Sequence, residues 1–324
     1  GVVAQLHVQP RLTSMAAGYD IVALGEPLVE FNQTRGEDAH AWRQGFGGDT
    51  SNMAIAAARL GARVAYVTRL GDDAFGRRFR ALWIDEGVAL DGVATDPEAP
   101  TGVYFVTHGD AGHAFAYLRA GSAASRLAPS NLPLDVIRAA RALHVSGISQ
   151  AISTSACDAV FAAIAAAREA GARIYYDPNL RPKLWPRARA RAIAIATIAQ
   201  SDWCLPSRED AEWAFGTSDS DAVIDACRRA GARGVVYKRG ADGCVVDDGR
   251  ERVAIAPHRV ATVDATGAGD CFDGAFAARL AAGDDPVSAA RYANAAAAIA
   301  TTGYGAVEPL PRPGKVDALV GQPA

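Results

Sequence analysis

The heptapeptide Asp264-Ala265-Thr266-Gly267-Ala268-Gly269-Asp270 runs directly into a segment of helical period, with Phe272, Ala275, Phe276 and Leu280 on one face and Gly283 at its end. That spacing puts the glycines at a helix N-terminus. Free N–H groups there point outward at the positive end of the helix dipole, and the missing side chains let a phosphate approach the backbone. Gly267, Ala268 and Gly269 thus read as an anion hole, and Asp270 as a carboxylate able to take a proton from an acceptor hydroxyl. Stabilised charge on the migrating group and an oriented, deprotonated acceptor are what phosphoryl transfer requires. The dipole is expected to favour the ionised form of Asp270. A bare G-x-G would read as an ordinary turn before a helix; the flanking Asp264 and Thr266, and the aspartate directly after Gly269, favour the chemical reading. Phe272 stands where a dinucleotide fingerprint needs its third glycine, and no G-x-x-x-x-G-K-[ST] occurs.

The elements that must position this motif have a recurring pattern. Ile21 to Leu24 reads as a first strand. Thr50 to Leu60 reads as a helix with Met53, Ala57 and Leu60 on one face, ended by Gly61 and followed by a strand from Val64 to Thr68. The same order returns at Cys157 to Ala170, Gly171 and Arg173 to Tyr176, and at Ala222 to Ala230, Gly231 and Gly234 to Tyr237. Helix, glycine, strand is the pattern of an α/β fold around a mostly parallel sheet. Residues 31–46 and 101–119 break the pattern with strand-like runs such as Val103 to Val106, and are expected to form a small lid over the sheet edge. No Gly/Ser- or Pro-rich linker divides the chain, so the lid is an excursion from one domain.

Of the 324 residues half are apolar, enough for a large core, and a net charge of −3 offers no attraction to nucleic acid or an anionic membrane. Arg or Asp interrupts every alanine-rich stretch before the ~20 apolar residues of a membrane span. Five cysteines without a C-x-x-C pair fit reduced, buried thiols in a cytoplasmic protein. Residues 1–18 carry no basic start with an apolar run and are expected to be a disordered leader, with Met15 a candidate start; residues 313–324 read as a tail. The histidines show no metal-ligand spacing, and His144 reads as a satisfied core residue. Arg187, Arg189 and Arg191 read as a solvated helix face, and Trp185 and Trp213 as packing.

The terminal motif resembles the signature D-T-x-G-A-G-D of the ribokinase-like (PfkB) carbohydrate kinases, departing only at Ala265. The family's first signature appears as Gly47-Gly48-Asp49-Thr50-Ser51-Asn52-Met53-Ala54, followed by Leu60-Gly61 and Gly71-Asp72-Asp73-Ala74-Phe75-Gly76. The resemblance implies a three-layer α/β sandwich over residues 19–312 with a β-strand lid. It also implies ATP as phosphoryl donor, Mg²⁺ as cofactor, and a homo-oligomer, plausibly a dimer paired through the lid. Lys238-Arg239-Gly240-Ala241-Asp242-Gly243 matches the family's nucleotide stretch, with Lys238, Gly240 and Gly243 facing the nucleotide, and Asn294 matches an adenine-side asparagine. The N-x-x-E element of the magnesium shell is replaced by Ser207 and Asp210, leaving Asp210 as expected metal acid and Glu209 as its alternative. Asn52, beside Gly48, is placed to meet substrate hydroxyls.

Gly25 to Val29, Tyr117 to Ala123, His144 to Ile148 and Asp177 to Arg181 resemble 2-keto-3-deoxygluconate kinases more than ribokinases. That resemblance implies that Tyr104, Tyr117, Arg119 and Arg181 surround the acceptor while Asn179 lies towards the phosphates. A guanidinium binds a sugar acid's carboxylate through two parallel charge-assisted bonds, whereas a neutral sugar has no use for a desolvated arginine. Taken singly, Arg119 reads as a solvated lid residue and Arg181 as a surface residue before Pro182. The competing readings are a kinase for fructose, ribose or a nucleoside, and a sugar-binding protein that keeps the fold without turnover.

Overall fold

The computed structural model describes residues 18–34, 40–109 and 112–321; the expected leader, Gly18 apart, lies outside them. Thirteen strands form two sheets. The central sheet contains β1 (Tyr19–Leu24), β4 (Val64–Gly71), β5 (Val88–Asp96), β8 (Ala140–Ser146), β9 (Arg173–Asp177), β10 (Trp203–Cys204), β11 (Gly234–Lys238), β12 (Cys244–Asp247) and β13 (Arg252–Ile255). Their order is β13-β12-β11-β10-β9-β8-β1-β4-β5, parallel from β11 to β5 and antiparallel at β12 and β13. Central strands in such a sheet are covered on both faces, so they read as apolar runs; Ile21 to Leu24 is buried throughout.

One face carries α1 (Asp49–Arg59), α2 (Ala74–Asp85), α9 (Ala268–Ala282), α10 (Pro286–Ala300) and α11 (Pro313–Val320), the last within the stretch read as a tail. The other carries α3 (Leu134–Arg138), α5 (Thr154–Glu169), α6 (Arg187–Ile198), α7 (Arg208–Phe215) and α8 (Ser220–Ala230), while α4 (Gly147–Ala151) follows β8. Each of the three predicted helix-glycine-strand units is present. Gly61, Gly171 and Gly231 lie in the left-handed region at φ 97°, 85° and 115°, where a side chain would be strained.

The two stretches expected to form a lid join in one sheet, β3 (Trp42–Gly47), β2 (Leu28–Gln33), β6 (Val103–Gly109) and β7 (Gly112–Leu118) in that order. Its outer pairs are antiparallel, and β2 runs parallel to β6.

Burial on α9 is broader than the expected single face: Cys271 to Ala278 are all buried, because α1, α10 and the sheet surround the helix. Small residues permit this. A Cβ built on Gly274 would lie 2.5 Å from the Met53 carbonyl oxygen and 2.8 Å from Ala56 Cβ, so the glycine sets how closely α9 meets α1. Gly274→Ala is therefore expected to cost about 1–3 kcal/mol through overpacking and to lower turnover, with the urea midpoint as the measurement. An unchanged midpoint would mean that the two helices separate freely.

Candidate active site

Strand order reverses about β1, with β4 on one side and β8 on the other, and ligands in open α/β sheets bind beyond the carboxyl ends of strands at such a point. Here β1 leads into Gly25-Glu26 and β8 into Ser146-Gly147, and the first turn of α1 lies against both. Gly25 leaves the space: a Cβ there would sit 2.2 Å from Thr50 Oγ1. Four consecutive polar residues of α1 are buried and individually partnered. Asp49 Oδ2 accepts from Asn179 Nδ2 at 2.9 Å, Thr50 Oγ1 meets Tyr66 Oη at 2.8 Å, and Ser51 Oγ accepts from Trp83 Nε1 at 3.0 Å. Asn52 Nδ2 donates to Asp270 Oδ2 at 2.8 Å, while Asn52 Oδ1 is buried with no partner among the described residues. The two halves of the predicted site, over two hundred residues apart in sequence, meet at that bond. An orphaned buried acceptor is costly unless a ligand hydroxyl satisfies it.

Gly267 begins α9 at φ 75° with no side-chain cap, so the first-turn N–H groups have no side chain across them. Asp264 shapes the approach: its Oδ1 accepts from Thr266 N and Oγ1, and its Oδ2 from Gly305 N. The expectation that the dipole keeps Asp270 ionised is corrected. Asp270 is half-buried, and withdrawal from water, followed by the nearby Asp49 carboxylate, raises its pKa to about 7; Asn52 and Lys238 pull against this. A helix dipole supplies only about 0.3–1 kcal/mol near the first turn, and burial beside like charges outweighs it.

Lys238 does not face outward as a nucleotide contact. It is buried, with Nζ 3.2 Å from Asp177 Oδ2 and 2.9 Å from Asp273 Oδ1, and 3.7 Å from where a Cβ on Gly269 would be. Burial opposes its charge, but the two carboxylates outweigh that and hold it protonated. Within the cluster burial raises the Asp177 carboxyl but Lys238 outweighs it and draws it below its usual range, whereas burial prevails at Asp273 and pushes its carboxyl well up. Asn179, expected near the phosphates, instead ties this cluster together. At φ 39° it donates through N to Asp177 Oδ1 and through Nδ2 to Asp49.

Ser207 and Asp210 form a capping box at the start of α7. Asp210 Oδ2 accepts from Ser207 N at 2.9 Å and Oγ at 2.8 Å, and Oδ1 accepts from Leu180 N at 2.6 Å. Both oxygens are committed, so a magnesium ion held through Asp210 does not fit, and no cluster of three or more His, Cys, Asp or Glu able to hold a metal occurs among the described residues. Glu209 is exposed. Asn294 Nδ2 is committed to the Ala256 carbonyl at 2.8 Å. Of the residues expected on the nucleotide side, exposed Gly240 in the turn after β11 and Gly267 to Gly269 present backbone; Gly243 is buried, with φ 77°.

On the lid side, Tyr104 is buried and its hydroxyl donates to Glu30, while its ring stacks 5.8 Å from that of Tyr117. Gly47 abuts it: a Cβ there would lie 2.7 Å from Tyr104 Oη. Arg119 is not a free cation. Its Nε donates to Glu26 Oε2 at 2.7 Å, Nη2 is in charge contact with the same oxygen but has no hydrogen-bond partner among the described residues, and the guanidinium lies 5.6 Å from the Tyr117 ring centroid. Arg181 is exposed and donates to the Leu180 carbonyl at 3.1 Å. Glu26, Glu30, Asp177 and Asp273 were not legible as site residues; the signal for Glu30 was a carboxylate inside the apolar run of β2. Beyond them opens a cleft of about 790 Å³ between the lid and the loops 263–266 and 304–308, lined by Glu30, Gly45, Val106, His108, Thr266 and Gly305.

His144 is buried as expected but not satisfied, since Nδ1 has no partner among the described residues; burial pushes its pKa down to about 4 and keeps it neutral. All five cysteines are buried, Arg187, Arg189 and Arg191 are exposed, and Trp185 packs with Trp213.

Residues 18–313 match the family described as pfkB family carbohydrate kinase, and the chain belongs to it. It is 35% identical over 308 residues to the 2-dehydro-3-deoxygluconokinase of Thermoproteus tenax, covering 93% of this chain and 94% of that one. It is 36% identical over 323 residues to fructokinase-1 of Zea mays, covering 94% and 99%. The fructokinase of Xylella fastidiosa solved with bound ATP superposes with a TM-score of 0.85 at 25% identity, covering 93% and 98%. The protein is thus a sugar kinase of an ATP-dependent family. Among the described residues no helix is long and apolar enough to cross a membrane.

If Asp210 is a cap and not a metal acid, Asp210→Ala should lower stability by about 1–2 kcal/mol and leave the magnesium dependence of turnover unchanged. A raised magnesium requirement in a variant of wild-type stability would reverse the assignment.

Proposed function

We propose that this chain transfers the γ-phosphoryl group of ATP to the terminal hydroxyl of 2-keto-3-deoxygluconate, giving the 6-phosphate and ADP. The observation carrying the acid acceptor is Arg119, half-buried on the lid side, with Nε on Glu26 and a buried Nη2 that has no hydrogen-bond partner among the described residues. Arg181 adds a second cation, and the Thermoproteus tenax relative supports the same class. In this reading Asn52 Oδ1 receives an acceptor hydroxyl and Asp270 takes the proton of the attacking one. The new P–O bond forms as the bond to the β-phosphate oxygen breaks. Developing charge rests on the first-turn N–H groups of Gly267 to Gly269, and the nucleotide lies along the Gly240 turn.

A neutral hexose is the second reading, favoured because Glu26 offsets the charge of Arg119 and because the Zea mays fructokinase is equally similar. The intact Asn52–Asp270 bond argues against a binding protein without turnover. Dimerisation through the lid remains part of this proposal, since Trp42 and Leu118 leave apolar lid surface exposed.

ADP release with 2-keto-3-deoxygluconate and with fructose tests the acceptor. The acid should be preferred, and Arg119→Lys should raise its KM by roughly tenfold, since a bidentate fork is lost, with a smaller effect on fructose. Equal kcat/KM for both sugars would sink the acid reading. Asp270→Asn should lower kcat by about 10²–10⁴-fold. Because the base must be deprotonated and its pKa is raised to about 7, kcat/KM should fall as pH drops through about 7. A limb in the ordinary carboxylate range, near 4, would contradict the electrostatics described for Asp270.

A further inference from the structure

Glu26 has so far appeared only as the partner of Arg119, yet it is buried, 1% exposed. It stands two residues past β1, at the strand-order reversal where the acceptor reading places the sugar. Both of its oxygens are used. Oε1 accepts from Ser122 Oγ at 2.5 Å, and Oε2 accepts from Arg119 Nε at 2.7 Å with Nη2 against the same oxygen. Gly102 leaves its space, since a Cβ there would come 3.0 Å from Oε1.

A buried carboxylate held this way orients its partner as well as balancing it. The guanidinium is planar, so the Nε hydrogen bond and the Nη2 charge contact with one Glu26 oxygen fix the directions of its remaining N–H donors. Tyr117 lies against the guanidinium, Tyr117 stacks on Tyr104, and Tyr104 abuts Gly47, so the pair is continuous with the acceptor wall. Removing either member of such a pair leaves the other charge buried and unopposed.

We propose that Glu26 is a positioning residue that determines acceptor specificity: it presets the Arg119 guanidinium against Tyr117 and offsets its charge, so the acceptor's anionic group meets a fixed, partly neutralised guanidinium whose buried Nη2 has no hydrogen-bond partner among the described residues. This rests on the reading that Arg119 meets the acceptor, and it assigns the tuning of that contact to a residue that never touches the sugar.

The test is a double-mutant cycle of Glu26→Ala and Arg119→Ala, with Glu26→Gln alongside, measuring kcat and KM for 2-keto-3-deoxygluconate and fructose. Glu26→Ala should raise KM for the acid about tenfold, the size of one lost charge-assisted contact, with kcat nearly unchanged and no further loss in the Arg119→Ala background. Glu26→Gln keeps the packing and removes the offsetting charge, so it should lower KM for the acid about threefold and leave fructose unmoved. Independent, multiplying losses in the cycle, or a Glu26→Gln effect equal on both sugars, would overturn the proposal. If Glu26→Ala fails to fold, Glu26→Gln decides alone. Should the wild-type enzyme prefer fructose, the acid reading fails, and the cycle read on fructose still decides whether Glu26 acts through Arg119.

Discussion

The close approach of α1 and α9 is the constraint on which the rest of the site depends. Gly274 permits it, because any side chain there would collide with the backbone of α1 at Met53. The contact lies about two turns past the uncapped N-terminus of α9 and just beyond the first turn of α1, at Met53, Ala56 and Ala57, so bringing the helices together also brings Asn52 to Asp270. The sheet fixes the rest: β1 ends at the strand reversal, Gly25 clears a path for Thr50, and the lid strands leave from the same end. A kinase site arises where two backbones are small enough to touch.

Close approach concentrates charge. Asp49, Asp177, Asp270 and Asp273 come from α1, β9 and α9, with Lys238 from β11 beneath the first turn of α9. One ammonium cannot neutralise four carboxylates, so burial and mutual repulsion raise Asp49, Asp273 and Asp270, the last to about 7, while Lys238 holds Asp177 below the usual carboxylate range. Lysine at this position lies beneath the first turn of α9, its Nζ 3.7 Å from where a Cβ on Gly269 would be. Asn179 holds a left-handed conformation to link Asp49 with Asp177; its short amide tolerates that backbone better than most side chains.

Features with a local physical cause were readable from sequence. Gly61, Gly171 and Gly231 end helices because the chain must turn left-handed there, so the alternation of helix and strand was visible. Gly267 announced the start of α9 for the same reason, with φ 75° at the N-cap. Partners across the fold were not visible. Nothing in the sequence shows that β2 runs beside β6, or that α9 is buried on every side. Ser207 and Asp210 have the spacing of a metal element, but the same spacing makes a capping box, and only the third partner, Leu180 N, separates the two. The partners that hold Lys238 and Arg119, Asp273 and Glu26, lie 35 and 93 residues away, beyond any local pattern.

The proposed reaction turns on Asp270 receiving the reacting hydroxyl while Asn52 Oδ1 holds another hydroxyl of the acceptor. A crystal structure with acceptor and a non-hydrolysable ATP analogue tests it most directly. The account predicts the terminal hydroxyl about 2.6–3.2 Å from an Asp270 carboxylate oxygen, an acceptor hydroxyl on Asn52 Oδ1, and the γ-phosphate at the Gly267 to Gly269 turn. An acceptor bound with its terminal hydroxyl turned away from Asp270, or phosphates seated away from that turn, would contradict it.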